Sequence, residues 1–319
     1  MADREEELRE LWSIFDGDIK DSTALDPQTL EDIFIKYGGR GTPFRKRSDV
    51  VHFFVFLKSY PTARSWPTVV NGQYRHKFRK IMIQLEHLFT VMDEFTRLVD
   101  ERNLDTNKMP ELLSNVFDVD NVRLCVDTFP VYLRRPKKNQ RWWYQAKYHA
   151  HVAKIQAVTD LKGNILWISG PHLGSTGDIT LWHWYRPSWL RAEEIILGDK
   201  AYIGGSNCVC PKKKPAGGEL TTLEKSYNLV HCHFRVRCEH AFGAIKRWGI
   251  VSQRYRGRVT ADNGLRLHKI VSVMAQVVNM FNRNHPTEVG KTLNLLLARD
   301  VDGIDTYSTD DAEYEGGSD

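Results

Sequence analysis

A change of hydrophobic rhythm about a third of the way along is what most constrains this chain. Residues 1 to about 105 carry long amphipathic runs with few β-branched alternations, whereas residues 121–210 break into short apolar runs punctuated by Gly and Pro. A sequence that changes period in this way predicts a helical N-terminal domain over 1–105 followed by a sheet-bearing domain, with the boundary near Leu104 to Pro110. At 319 residues and 41% hydrophobic content, there is enough apolar mass to bury a substantial core.

Within the second part, Val122, Leu124 and Val126 alternate with Arg123, Cys125 and Asp127, which predicts a strand ending at an acid. A basic connection follows, then an apolar stretch from His151 to Val158, a Lys162-Gly163-Asn164 turn and Ile165 to Ser169. Together these predict a three-stranded antiparallel meander. A short helix from Asp178 to about Tyr185, a buried strand Ile195-Ile196-Leu197 and Gly198-Asp199 come next. Long helices are then expected over roughly Thr221 to Trp248 and Asp262 to Asn282. Three strands, a helix, a strand and further helices is the order of an RNase H-like fold, so the fold class is α/β over 121–285.

Phosphodiester chemistry by two metal ions needs carboxylates from distant parts of a chain to converge on the scissile phosphate. Asp127 and Asp199 follow strands that are neighbours in an RNase H-like sheet, which suits them to share one ion. A third acid is offered by the long helix. At about 100° per residue, and relative to Glu239, Arg235 lies near −40°, Lys246 near −20°, Cys232 near +20° and Gly243 near +40°. One face therefore carries a carboxylate flanked by two cations, with bulk removed at Gly243. This suits a metal ligand beside phosphate clamps, and the plainer alternative is a helix laced by salt bridges.

Several blocks carry a family resemblance. Leu197-Gly198-Asp199-Lys200-Ala201-Tyr202-Ile203-Gly204 and Arg235-x-x-x-Glu239-His240-x-Phe242-Gly243-x-x-Lys246 resemble the second and third acid blocks of PIF/Harbinger-type transposases. Cys125-Val126-Asp127-Thr128 resembles the first block, and Ser169 to Asp178 resembles the block between. The resemblance spans roughly residues 121–285. It implies an RNase H-like DDE endonuclease with Asp127, Asp199 and Glu239 as catalytic and metal-holding triad, two divalent ions (Mg²⁺ or Mn²⁺), and cleavage and strand transfer at element ends. It further implies a nuclear location, a Myb-like DNA-binding partner protein and a homo-oligomer on DNA. Two departures stand out: Cys232 where related bacterial transposases often have Tyr, and Ala201 in place of the usual Gly. The rival reading is a domesticated DNA-binding or scaffold protein that kept the fold without transposition.

Other features admit two readings each. Asp178, before a short helix, is either a fourth carboxylate at the metal site or a helix N-cap. Cys208, Cys210, His231, Cys232, His233, Cys238 and His240 are zinc-ligand types without Cys-x-x-Cys spacing, and helical geometry separates His231 from His233. Arg134, Arg135, Lys137, Lys138, Arg141 and Lys147 are interleaved with Trp142, Trp143, Tyr144 and Tyr148, a pattern that suits DNA gripped without sequence preference or, alternatively, a solvated hairpin. Arg135-Pro136-Lys137-Lys138 also has the form of a nuclear import signal.

In the first part, Phe78, Ile81, Leu85, Leu88, Met92 and Phe95 read as one apolar stripe. Arg75, Lys77, Arg79 and Lys80 crowd its start. With a turn near Ser65-Trp66-Pro67 this suggests a DNA-binding helix-turn-helix, against a plain helical support.

Net charge is +5, but residues 300–319 hold eight acids and no Lys or Arg, which leaves the remainder near +13. Such a body attracts polyanions, DNA above all, while residues 286–319 read as an acidic disordered tail. No apolar run reaches the roughly 20 residues that span a bilayer, and the charged Met1 to Arg9 does not read as a signal peptide. Five cysteines fit a reducing compartment, so a soluble intracellular protein without a membrane partner is expected.

Overall fold

The computed structural model describes residues 19–62, 65, 77–104, 117, 121–259 and 264–285. The acidic tail, Arg75, Trp66-Pro67 and residues 105–110 lie outside these.

The first part is helical where described: α1 (Ile19–Thr23), α2 (Pro27–Tyr37), α3 (Arg47–Ser59), α4 (Lys77–Val91) and α5 (Glu94–Leu104). Asp26 starts α2 by accepting from the Thr29 N–H at 3.0 Å, with Pro27 in the first turn. In α3, every residue from Val50 to Leu57 is buried, as an almost wholly apolar run requires. Ile81, Leu85 and Leu88 of α4 are buried and Phe78 is half exposed; the helix stops at Val91, yet Met92 and Phe95, beyond it, still pack in the same core.

The sheet is built on β1 (Val122–Tyr132), which runs five residues past Asp127 rather than ending there. A one-turn helix α6 (Gln140–Trp143) and a two-residue strand β2 (Tyr144–Gln145) lead into β3 (Ala150–Asp160), followed by β4 (Ile165–Leu173). β3 pairs antiparallel with both β1 and β4, so the expected meander is present. Next come α7 (Asp178–Tyr185), β5 (Ile195–Leu197), which pairs parallel with β1, and β6 (Cys208–Val209), parallel to β5. Along the sheet the order is β2-β3-β1-β5-β6, with β4 also on β3. The chain ends its described course with α8 (Thr222–Ile245), one turn of α9 (Gly249–Ser252) and α10 (Leu265–Asn284). Thr221 and Glu224 form a capping box that fixes the start of α8.

α10 joins the two parts of the chain. It packs on β4 and α8 from one side and on α2, α4 and α5 from the other, and is buried from Ile270 through Met280. Its Asn279 acts as a surrogate strand neighbour: Oδ1 accepts from Ile165 N at 2.8 Å and Nδ2 donates to Ile165 O at 2.7 Å. Side chains from α2, α3, α4, β1, β3, α8 and α10 consequently share one apolar cluster. A smaller cluster on the opposite face of the sheet gathers Leu124, Val126, Val158, Leu166, Trp182, Ile196 and Tyr202.

A buried acid ties the same elements together. Glu94, at the start of α5 with its side chain 0% exposed, accepts from Arg97 Nη2 at 2.9 Å, Arg283 Nη2 at 2.5 Å and Lys36 Nζ at 3.3 Å. Burial works against its charge, but Arg283 and Arg97 outweigh that and hold its carboxyl below the ordinary range. A depressed carboxyl stabilises the fold above its unfolded pKa, and that contribution fades as pH falls through the folded value. Glu94→Gln should therefore cost about 2–4 kcal/mol in urea unfolding at pH 7, with a gap to wild type that narrows below about pH 4. A gap unchanged between pH 7 and pH 3.5 would show that charge is not what Glu94 contributes.

Candidate active site

Alternation along β1 decides which way its acid points. Leu124 and Val126 enter the smaller cluster, while Cys125 and Phe129 enter the larger one beneath α8. Asp127 shares their parity and reaches toward α8. There Arg235 meets it: Nη1 donates to Asp127 Oδ2 at 3.2 Å, while Nη2 donates to Glu239 Oε1 at 2.5 Å. One guanidinium thus bridges an acid of the central strand and an acid one helical turn further along α8. The side chains of Asp127 and Arg235 are 16% and 18% exposed, and that of Glu239 is 50% exposed. Burial pushes the Asp127 carboxyl up to about 6; Arg235 opposes this, and the nearby carboxylates of Asp199 and Asp178 add to it.

Asp199 arrives from the neighbouring strand. Leu197, the last residue of β5, stands beside Cys125, and Asp199 follows two residues on, near enough for its carboxylate to act on that of Asp127. It caps the 3₁₀ turn Lys200–Tyr202, with Oδ1 accepting from Ala201 N at 2.8 Å. Because the donor is a backbone N–H, Ala at position 201 serves as well as Gly would. Gly198 is needed just before it, since a Cβ there would come within 2.8 Å of Tyr202 Cβ. The buried Tyr202 hydroxyl is 2.8 Å from Thr128 Oγ1 and accepts from Gln156 Nε2 at 3.1 Å, which pins the turn to β1 and β3.

Asp178 is not the helix cap. Gly177 occupies that position, and Asp178 is the first helical residue, its Oδ1 accepting from Lys154 Nζ at 2.8 Å. Lys154, 6% exposed, also donates to Thr176 O at 2.8 Å. A lysine inside the apolar run of β3 was the available signal for this pair, and sequence reasoning passed over it. A buried ammonium requires a partner, and here it sets the Gly-rich turn against the sheet.

On α8, Lys246 follows the last helical residue and holds its ammonium 5.9 Å over the Phe129 ring; burial lowers its pKa while Asp127 pulls the other way. Gly243 is exposed, and a Cβ there would meet no atom within 4 Å. Packing within the chain therefore does not require a glycine. Cys125 and Cys238 are fully buried, and His231 Nε2 lies 3.1 Å from Val209 O, so these zinc-type residues are placed by the core and by backbone bonds.

In the basic connection, Arg134, Arg135, Lys137, Lys138 and Arg141 are exposed, and Trp142 and Tyr144 are nearly half exposed while Trp143 is buried. Ser175 fastens this connection to the Gly-rich turn, donating to Trp142 O from N at 3.0 Å and from Oγ at 2.9 Å. The cations of α4 divide differently: Arg79 is exposed, Lys80 pairs with Asp49, Arg75 is not described, and Lys77 is described in its backbone alone. Between the end of α3 at Ser59 and the start of α4 at Lys77, where the turn of a helix-turn-helix is expected, only residues 60–62 and 65 are described.

Among the described residues no group of three or more His, Cys, Asp or Glu side chains is gathered closely enough to hold a metal ion, and Glu239 is turned onto Arg235. The donor chemistry nevertheless suits a hard divalent cation. Asp127 on β1 and Asp199 in the turn after β5 lie near enough that the Asp199 carboxylate raises the Asp127 carboxyl pKa, a repulsion that an added positive charge would relieve.

Residues 126–279 match the family of DDE superfamily endonucleases. Over this stretch the chain is similar to DDE superfamily endonucleases. Asp127, Asp178, Asp199, Arg235, Glu239 and Lys246 all fall within it, and the mixed α/β sheet is consistent with a DDE nuclease fold. A probable transposase for an insertion sequence element of Microchaete diplosiphon is 28% identical over 167 residues, covering 50% of this chain. The match spans 59% of that relative's length. No solved structure gives a significant match.

The Lys154–Asp178 pair within this stretch is open to a double-mutant cycle. Lys154→Met and Asp178→Asn should each lower the unfolding free energy, with a coupling of about 1–3 kcal/mol between them. Additive losses would mean that the two charges do not support each other.

Proposed function

We propose that this chain is a metal-dependent DNA endonuclease of transposase type with an RNase H-like core, cutting phosphodiester bonds at element ends and transferring strands. The reading rests on one observation: within the stretch similar to DDE endonucleases, the Asp199 carboxylate, in the turn after β5, acts on Asp127 of the neighbouring strand, while Glu239 on α8 shares the Arg235 guanidinium with Asp127.

In this reading Asp127 and Asp199 would hold a divalent ion, and Glu239, paired with Arg235 here, would join them as a ligand once released. Asp178 stays with Lys154 and fixes the Gly-rich turn. Held there, two Mg²⁺ or Mn²⁺ ions would supply Lewis acidity for phosphodiester cleavage. The chain's own cations do the rest. Lys246 and the released Arg235 clamp phosphate oxygens at the cut, and Arg134, Arg135, Lys137, Lys138 and Arg141 track the backbone beside Trp142 and Tyr144. Gly243 leaves a gap on the Glu239 face into which a phosphate backbone can settle. The cations of α4 give weaker support for DNA contact, because Lys80 is already paired. The Harbinger subtype, a nuclear location, a homo-oligomer on DNA and a Myb-like partner that locates the ends belong to this same proposal.

A supercoiled-plasmid nicking assay with Mg²⁺ or Mn²⁺ tests it. Asp127→Asn, Asp199→Asn and Glu239→Gln should each abolish nicking while melting within a few degrees of wild type. Absence of nicking by the wild type with either metal, alongside retained DNA binding, would return the chain to a DNA-binding scaffold. Alanine at Lys137, Lys138 and Arg141 together should flatten the salt dependence of DNA binding by about three units of slope, and an unchanged slope would remove this connection from the interface. Gly243→Ala should stabilise α8 by up to about 1 kcal/mol yet reduce cleavage. Full cleavage in that variant would show that no DNA backbone approaches there.

A further inference from the structure

A guanidinium shared between two carboxylates is a stand-in for a cation, and its geometry here is uneven. Arg235 reaches Asp127 at 3.2 Å and Glu239 at 2.5 Å through separate nitrogens. The Asp127 end lies within the protein, whereas Glu239 is 50% exposed and belongs to an ordinary i,i+4 helix pair, which water and salt weaken. A planar fork with five donors can bridge a strand acid and a helix acid together, which a lysine ammonium does less well. Two positive charges, Arg235 and the more distant Lys246, set against the carboxylates of Asp127, Glu239 and the nearby Asp199 leave the cluster negative and still attractive to a divalent ion.

We propose that Arg235 is an internal counter-cation that competes with divalent ions for Asp127 and Glu239, so that metal loading and release of the Arg235 side chain are one linked event. This inference rests on the metal-dependent reading above and adds to it. The guanidinium becomes available to a phosphate only once the carboxylates have exchanged it for metal. Coupling of this kind is reciprocal: whatever loosens Arg235 from the acids strengthens ion binding, and ion binding frees Arg235. A purely structural arginine, posted to aim the carboxylates at a metal, makes the opposite prediction.

The test uses the full chain at pH 7.5 without DNA, so that no turnover contributes. Mn²⁺ binding is measured by titration calorimetry and heat stability by differential scanning fluorimetry, in EDTA and in saturating Mn²⁺. Arg235→Gln should bind Mn²⁺ about fivefold or more tightly than wild type, melt lower in EDTA, and gain more from Mn²⁺ than wild type gains. Arg235→Lys, which keeps the charge but not the fork, should lie between the two and carries the test if Arg235→Gln does not fold. Affinity in either variant that equals or falls below wild type overturns the proposal. Asp127→Asn separates the two readings. If it binds Mn²⁺ as well as wild type, the proposed metal centre itself is wrong; if only Asp127→Asn loses Mn²⁺ and the Arg235 variants do not gain, the centre stands and Arg235 is its post.

Discussion

A carboxylate placed on the central strand of a sheet has to be balanced by a charge brought from elsewhere in the chain. Asp127 lies under α8 with little exposure, and burial alone would drive it toward the neutral acid. Arg235 opposes that drive, and its guanidinium is large enough to collect Glu239 as well. The angle and register of α8 over the sheet are therefore tied to this charge as well as to the apolar packing of Phe234, Cys238 and Ile245. The opposite face solves the same problem with the roles exchanged. There the strand supplies the cation, Lys154, and the start of α7 supplies the acid.

Between these two pairs sits the turn that carries Asp199. It is held to β1 and β3 through the Tyr202 hydroxyl, which links Thr128 with Gln156. A polar link of this kind inside an apolar cluster fixes the position of a loop more narrowly than hydrophobic contact could. Asp199 is thereby presented from a rigid base even though it follows a strand of three residues.

Much of this was legible in the sequence, because periodicity speaks directly of strands and helices. The starts of the three meander strands, α7, β5 and the start of α8 fall within a residue or so of where alternation, turns and caps predicted them, and the wheel placed Arg235 on the Glu239 face. What periodicity could not supply was length and pairing. β1 continues through Thr128, Phe129 and Val131 because β3 offers it partners as far as Val152, a non-local fact. The turn of Arg235 toward Asp127 likewise depends on how α8 crosses the sheet. Asp178 resembled a cap by its position alone; the buried ammonium that claims it lies 24 residues earlier in the chain. Met92 and Phe95 extended a helical rhythm on paper, but the chain turns after Val91 so that Glu94 can enter the interior.

The family match ends at residue 279, inside α10, and begins only at residue 126. α10 cannot respect either limit, because one flank rests on β4 and α8 and the other on α2, α4 and α5, and Arg283 lies beyond the matched stretch in contact with Glu94. A clone or a recombination event that cut between the helices and the sheet would keep every acid, yet strip the lining from one side of α10. The smallest heritable unit that can be shuffled intact between relatives reaches back at least to Pro27 and forward to Asn284, well outside the borders that sequence similarity draws.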